Sequence, residues 1–267
     1  MSCVLALLAA VAWALAAAPP PDAPIPREPA QLAARYDSTT RELHAAVERW
    51  RASGASRAPR EVTLDALYQQ RILILLTDRR ALADAVLRRL PRAEARAARD
   101  ELAARRELSR LSRPRPLRAF RTGPAEAARR LRAYYLEAQR RFGVGWRVLA
   151  AVNYIESAFN KLRNASTAGA QGPMQFIPST WRAYGLGGDV HDPHDAILGA
   201  ANYLHANGAP HDYRLALYHY NPSGAYVDAV LRYARRMKAD PDMFYVFHSR
   251  QVFVRTPRGL VRLTGPR

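Results

Sequence analysis

Apolar residues fall at three- and four-residue intervals over most of this chain, the repeat of helices that bury one face. The pattern predicts a helix over Leu32–Trp50, a break at Ser53–Pro59 and a second helix over Thr63–Leu90. Thr63 reads as the cap of that second helix, with Leu64, Leu67, Ile72, Leu75 and Leu76 on its apolar face. A third helix covers Arg92–Leu111, opened by Pro91 and ended by Arg113-Pro114-Arg115-Pro116. Helices are then predicted over Pro124–Phe142, Gly145–Phe159, Pro178–Tyr184, Ala196–Asn207 and Ala225–Ala239. Asp192-Pro193-His194-Asp195 is the start signal of one of them, with Asp192 as cap and Pro193 at the first position. The tail changes texture. Phe244–Arg255 and Gly259–Thr264 alternate apolar and basic residues around Thr256-Pro257-Arg258-Gly259, as a small hairpin does.

Composition narrows the picture. The chain has 267 residues, 49% of them hydrophobic, enough for one large domain or two small ones. Its net charge is +18, carried almost wholly by arginine, since lysine occurs only at Lys161 and Lys238. Fourteen arginines stand against five acidic residues between Arg79 and Arg121, a distribution suited to a polyanionic partner or to a solvated basic face. Val4–Ala18 is apolar and uncharged but shorter than the ~20 residues that span a bilayer. Ala14-Leu15-Ala16 gives it the small-x-small pattern of a secretory signal cleaved near Ala16, although residues 1–3 supply no basic start. Cys3 would leave with it, so no disulfide or thiol chemistry is expected of the mature chain. Pro19–Pro29, with six prolines, reads as an extended linker. Export directs the basic charge towards the cell envelope rather than nucleic acid, with no stable membrane span expected after signal cleavage.

The candidate chemistry lies in Gly145–Phe159, whose stripe is Val148, Leu149, Val152, Ile155 and Phe159. Glu156 sits beside that stripe in the last turn, where the helix dipole and partial burial both disfavour negative charge. A carboxylic acid held neutral near pH 7 is what protonation of a glycosidic oxygen requires. His191, His194, His205, His211 and His219 show no zinc-site spacing, and Gly187–Asp192 has too few well-placed oxygens for a calcium loop. No metal or cofactor is expected.

After Glu156-Ser157-Ala158-Phe159-Asn160 come Ser166, then Gly169-Ala170-Gln171-Gly172-Pro173-Met174-Gln175, then Tyr220-Asn221 before a final helix. Over about Leu131–Met237 this resembles the SLT, lysozyme-like domain of bacterial murein lytic transglycosylases. The resemblance implies a lysozyme-like catalytic domain over 121–240; the residue pattern sets beside it a basic helical N-terminal module over 30–120 and a small C-terminal β-hairpin over 241–267 packing on the catalytic domain, so a mainly α chain is expected. Residues 1–18 would be the signal and 19–29 the linker. It also implies cleavage of the MurNAc–GlcNAc β-1,4 bond of peptidoglycan with a 1,6-anhydromuramoyl product, Glu156 acting as acid and then base. The Tyr220 hydroxyl would hydrogen-bond Glu156. Ser157, Ser166, Met174, Gln175, Asn221 and Tyr226 would contact the glycan strand. Pro173 departs from the more usual leucine, and Pro222-Ser223-Gly224 replaces the usual Ala-Gly. Two other readings stay open. One is a muramidase on the same fold, its second carboxylate sought at Asp189 or Asp192. The other is a non-catalytic peptidoglycan-binding protein that works through the basic module, which would also be the surface for other cell-wall enzymes.

Overall fold

The computed structural model describes residues 18–266, so Cys3 and the cleavage site near Ala16 lie outside the described residues. The N-terminal helices are α1 (Pro29–Ser53), α2 (Arg60–Asp78), α3 (Arg80–Leu87) and α4 (Arg92–Leu111). A 3-10 turn at Leu117–Ala119 leads to α5 (Ala128–Phe142), α6 (Trp146–Ser157), α7 (Pro178–Tyr184) and α8 (Pro193–Ala206). The last elements are α9 (Tyr213–Tyr220), α10 (Gly224–Ala239), α11 (Met243–Ser249) and the hairpin strands β1 (Phe253–Thr256) and β2 (Gly259–Arg262). The fold is mainly α, and the hairpin pairs antiparallel with Phe253 opposite Arg262.

Three expectations need correcting. The helix expected over Thr63–Leu90 is broken at Arg79, whose φ of −119° and ψ of 80° leave the helical region. The break turns Ala83, Val86 and Leu87 back onto Leu73, Leu76, Ala98 and Leu102 in a small core of their own. Thr63 lies inside α2, not at its cap, and its hydroxyl donates to the Pro59 carbonyl at 3.3 Å. The alternation from Phe244 is not strand: Met243–Ser249 is helical because Met243, Phe244, Tyr245, Val246 and Phe247 are all buried, and a helix buried all round has no polar face to betray its period.

The main core crosses the whole chain. Leu43, Val47 and Trp50 of α1 and Ala104 of α4 join Leu131 and Tyr135 of α5, Leu149 and Val152 of α6, Val230 of α10 and Phe244 of α11. Helix α4 lies along α10, and α10 lies along α6. The packing therefore runs straight across the expected boundary at residue 120. The Pro-rich stretch is also docked: Tyr68 donates to the Pro24 carbonyl at 2.8 Å, and Arg71 donates to the carbonyls of Pro21 and Ala23.

The residues after α11 anchor on the N-terminal helices as well as on the 121–240 region. Arg250, buried, donates to both carboxylate oxygens of Glu101 on α4 and to Gln69 on α2 at 3.0 Å. Burial opposes the charge on Glu101, but the Arg250 guanidinium holds it below the usual carboxylate range. The Gln70 side chain donates to the Gln251 carbonyl and accepts from the Gln251 N–H, both at 2.9 Å. On the other side, buried Lys161 donates to the carbonyls of His248 and Arg250. No helix among the described residues is long and apolar enough to cross a membrane.

Candidate active site

Helix α6 is buried more widely than its stripe requires: Leu149, Ala150, Ala151 and Val152 are all fully covered. It ends on Ala158, and Ala158, Phe159 and Asn160 all have positive φ, of 51°, 61° and 66°. Three consecutive non-glycine residues in the left-handed region carry a cost of about 1–2 kcal/mol each. They persist because the surroundings fix them. Asn160 N–H donates to the Ser157 hydroxyl at 2.9 Å, and Leu162 N–H donates to the Ser157 carbonyl at 2.9 Å. Phe159, fully buried, stacks on Tyr154 at 5.5 Å between ring centres.

A second constrained turn faces the first. At Gly172, φ is +73°, and a Cβ there would lie 1.9 Å from the Val190 carbonyl oxygen. No other residue fits such an approach. The Gln175 side chain donates to the Gly172 carbonyl at 2.9 Å and closes the turn. Asn153 joins the two segments. Its Nδ2 donates to the Pro173 carbonyl at 2.8 Å, and its Oδ1 accepts from the Tyr135 hydroxyl at 2.5 Å. Ser157 Oγ donates to the same Pro173 carbonyl at 2.7 Å.

Glu156 stands half-buried in the last turn of α6, and its Oε1 accepts a hydrogen bond of 2.7 Å from the Tyr226 hydroxyl. Burial pushes the Glu156 carboxyl up to about 7, against the smaller downward pull of that bond. Burial and the Glu156 charge in turn hold Tyr226 well above its ordinary range, so it stays a donor. The arrangement can hold a proton near neutral pH and give it up, which is the competence of a general acid.

The expected partner of Glu156 was Tyr220, and the bond comes from Tyr226 instead. The Tyr220 hydroxyl donates to the Met174 carbonyl at 2.6 Å and braces the Gly172–Gln175 turn. The reason is positional: Ser223 caps α10, accepting from Tyr226 N–H at 3.4 Å, and this puts Tyr226 in the first turn facing α6. Ser157, expected to contact substrate, is 1% exposed and fully engaged with the protein. Met174 is likewise buried in the core, not in a groove. Tyr226 is 2% exposed, so its ring is packing and only its hydroxyl serves the site. Ser166 caps its own loop, accepting from Ala168 and Ala170 N–H. Gln175 and Asn221 remain half-buried near the surface.

Asn153 and Tyr135 were not foreseen. The available signal was a polar residue among the apolar positions of α6, three residues before Glu156. Asp192 caps α8, accepting from His194 and Asp195 N–H, and Asp189 accepts from His191 N–H. Asp192, His194 and Asp195 also form a cluster, but Glu137 and Asp195 already pair with the imidazole of His194.

Two proteins are similar to this chain in sequence. A membrane-bound lytic murein transglycosylase F 1 from Alkalilimnicola ehrlichii is 30% identical over 160 residues, 54% of this chain and 32% of that protein. A membrane-bound lytic murein transglycosylase F from Thiobacillus denitrificans is 32% identical over 120 residues, 42% of this chain and 25% of that protein. The chain thus spans about a third or less of the length of these relatives. No solved structure matches it. The family model described as the transglycosylase SLT domain matches residues 133–242, which include Glu156, the Gly172–Gln175 turn and Tyr226. Over residues 133–242, the chain is therefore similar to the transglycosylase SLT domain family.

Proposed function

We propose that this protein is a peptidoglycan lytic transglycosylase of the cell envelope, with Glu156 as its single acid and base. The observation that carries the reading is the isolation of Glu156. Among the described residues its acidity is set by burial and by one tyrosine hydroxyl, with no neighbouring carboxylate among the influences. A two-carboxylate hydrolase sets its second acid about 5–9.5 Å away as nucleophile or base. The sites named for it, Asp189 and Asp192, spend their carboxylates on backbone N–H groups of the loop and helix start.

In the proposed reaction, protonated Glu156 gives its proton to the oxygen between N-acetylmuramic acid and N-acetylglucosamine as the C1–O bond breaks. The carbonyl oxygen of the muramyl N-acetyl group closes on C1 and takes up the developing positive charge. The Glu156 carboxylate, steadied by Tyr226, then removes the proton from the muramyl 6-hydroxyl. O6 attacks C1, expels the acetamido oxygen and closes the 1,6-anhydro ring. No water is consumed, and Glu156 ends protonated for the next turnover. The acid needs a pKa near the working pH in both steps, which a value of about 7 supplies.

The test is digestion of purified sacculi with the chain and with Glu156→Gln, the released muropeptides being weighed by mass spectrometry. Products one water lighter than reducing muropeptides, absent with the variant, are expected. Reducing ends would instead establish a hydrolase, and no release by the unsubstituted chain would leave a binding protein.

A further inference from the structure

Residues 108–125 hold five arginines and no acidic residue, and residues 243–266 hold four arginines and again no acidic residue. The fold brings these two segments together. Arg115 N–H donates to the Arg255 carbonyl of β1 at 3.0 Å. Further along, Arg163 N–H donates to the Arg121 carbonyl at 2.9 Å, and Gly123 N–H donates to the Lys161 carbonyl at 3.0 Å. Residues 115–123 are thus clamped at both ends, with Pro114 and Pro116 stiffening the entry. Between the clamps Leu117–Ala119 makes its 3-10 turn.

The side chains along this segment face solvent. Among the described residues, neither an ion pair nor a side-chain hydrogen bond engages the guanidinium groups of Arg110, Arg113, Arg118 and Arg121, all exposed, and Arg115 lies over the Phe120 ring. On the hairpin, Asp78 stands 4.0 Å from Arg255 and Asp22 stands 3.7 Å from Arg262, while Arg258 at the exposed turn has no acidic partner among the described residues.

Leucines accompany this charge. Leu117 is 53% exposed, Leu111 at the end of α4 is 46% exposed and Leu260 on β2 is 47% exposed. Leu260 lies directly opposite Arg255, so both project from the outer face of the hairpin while Val254 and Thr256 turn inward. A single exposed leucine is ordinary on a protein surface. Three of them beside uncompensated arginines set two requirements on a partner. The arginines fit any polyanion, but the leucines need an apolar phase beneath the negative charge. A soluble or wall-bound polyanion lacks that phase, and a bilayer has it.

We propose that the 110–121 segment and the hairpin form a docking surface for a membrane that contains anionic phospholipid. The arginines lie among the phosphates, and Leu111, Leu117 and Leu260 enter the boundary between head groups and acyl chains. Arginine suits that depth, since its stem packs on apolar surface while its head stays among the phosphates. The 121–123 end is bonded to residues 161–163, just beyond α6, so docking would hold Glu156 at a set height above the bilayer.

The experiment uses residues 19–267, which keep every contact described here and omit the apolar run Val4–Ala18, itself able to bind lipid. Sedimentation is measured with vesicles of phosphatidylcholine alone and of phosphatidylcholine mixed equally with phosphatidylglycerol, at about 0.15 M salt. Partitioning onto the mixed vesicles is expected to exceed that onto the neutral ones by about a hundredfold. Arg118→Gln with Arg121→Gln should lower it about twenty-fivefold, or about fivefold for each charge. Leu117→Ser with Leu260→Ser should lower it about tenfold. All four positions are exposed, so the melting temperature of both variants should hold. Equal binding to the two kinds of vesicle, or binding to neither, would overturn the proposal. So would mixed-vesicle binding that the leucine pair leaves intact, which would assign the arginines to an acidic wall polymer or a nucleic acid. Vesicle binding is read without substrate, so failure of the lytic reading would show separately, in the digestion of sacculi.

Discussion

Replacing Tyr226 with Phe removes one oxygen and leaves the buried ring in place, so it isolates the hydrogen bond to Glu156. That bond favours the ionised carboxylate. A hydrogen bond to a charged group contributes roughly 1.5–3 kcal/mol, and one pKa unit corresponds to about 1.4 kcal/mol. Without the hydroxyl, Glu156 should rise by about one to two units above its value of about 7. In the proposed reaction protonated Glu156 is the form that starts the cycle, so the alkaline limb of kcat/KM against pH should follow it upward by the same amount. The maximum rate should fall, on the order of tenfold to a hundredfold, because the carboxylate proposed to take the 6-hydroxyl proton loses the hydrogen bond from the Tyr226 hydroxyl. The assay is release of anhydromuropeptides from sacculi between pH 5 and 9, in both proteins. An alkaline limb that stays where it was, with the rate reduced or not, would refute the assignment of that limb to Glu156.

The same carboxyl should register in stability. Its folded value of about 7 exceeds the unfolded 4.5, so the folded chain holds the extra proton between them, and stability falls as pH rises through that window. Glu156→Gln should therefore raise Tm at pH 8, by the equivalent of about 1–3 kcal/mol after allowance for solvent at the carboxyl edge, and leave it unchanged at pH 4. Equal gains at both pH values would contradict this. Arg250→Ala should cost roughly 3–5 kcal/mol in urea unfolding, since it strands Glu101 in the interior. Gly172→Ala should distort the turn against Val190 and lower both Tm and lytic rate. Asn153→Ala leaves the Tyr135 hydroxyl with no acceptor and the Pro173 carbonyl with one donor fewer, and should cost about 1–3 kcal/mol by thermal unfolding.

Much of the helical architecture was legible because each helix buries one face and states its period in the sequence. Helix α4 and helix α7 fall where the pattern put them, and Asp192 caps α8 as its neighbours implied. Glu156 stood out for a related reason, as a carboxyl placed beside an apolar stripe. What escaped notice depends on contacts between distant positions. Tyr220 and Tyr226 are both tyrosines near the start of the last long helix, and only the register set by Ser223 decides which reaches Glu156. The role of Asn153 depends on a carbonyl twenty residues away, and a backbone carbonyl leaves no mark in a sequence. Helix α11 was hidden by its own burial, and the pairing of Arg250 with Glu101 by their separation of 149 positions.

Those bonds after α11 decide how the molecule must fold. Gln70 and Gln251 meet across 181 residues, so the α2–α4 layer waits for one of the last segments of the chain before its polar groups are paired. Contacts of such long sequence separation slow folding, because the intervening loop must close before they form. They also bind the first and last helices into a single cooperative transition. Calorimetry should show one peak, and excision of residues 30–120 should yield an unfolded remainder rather than a smaller enzyme.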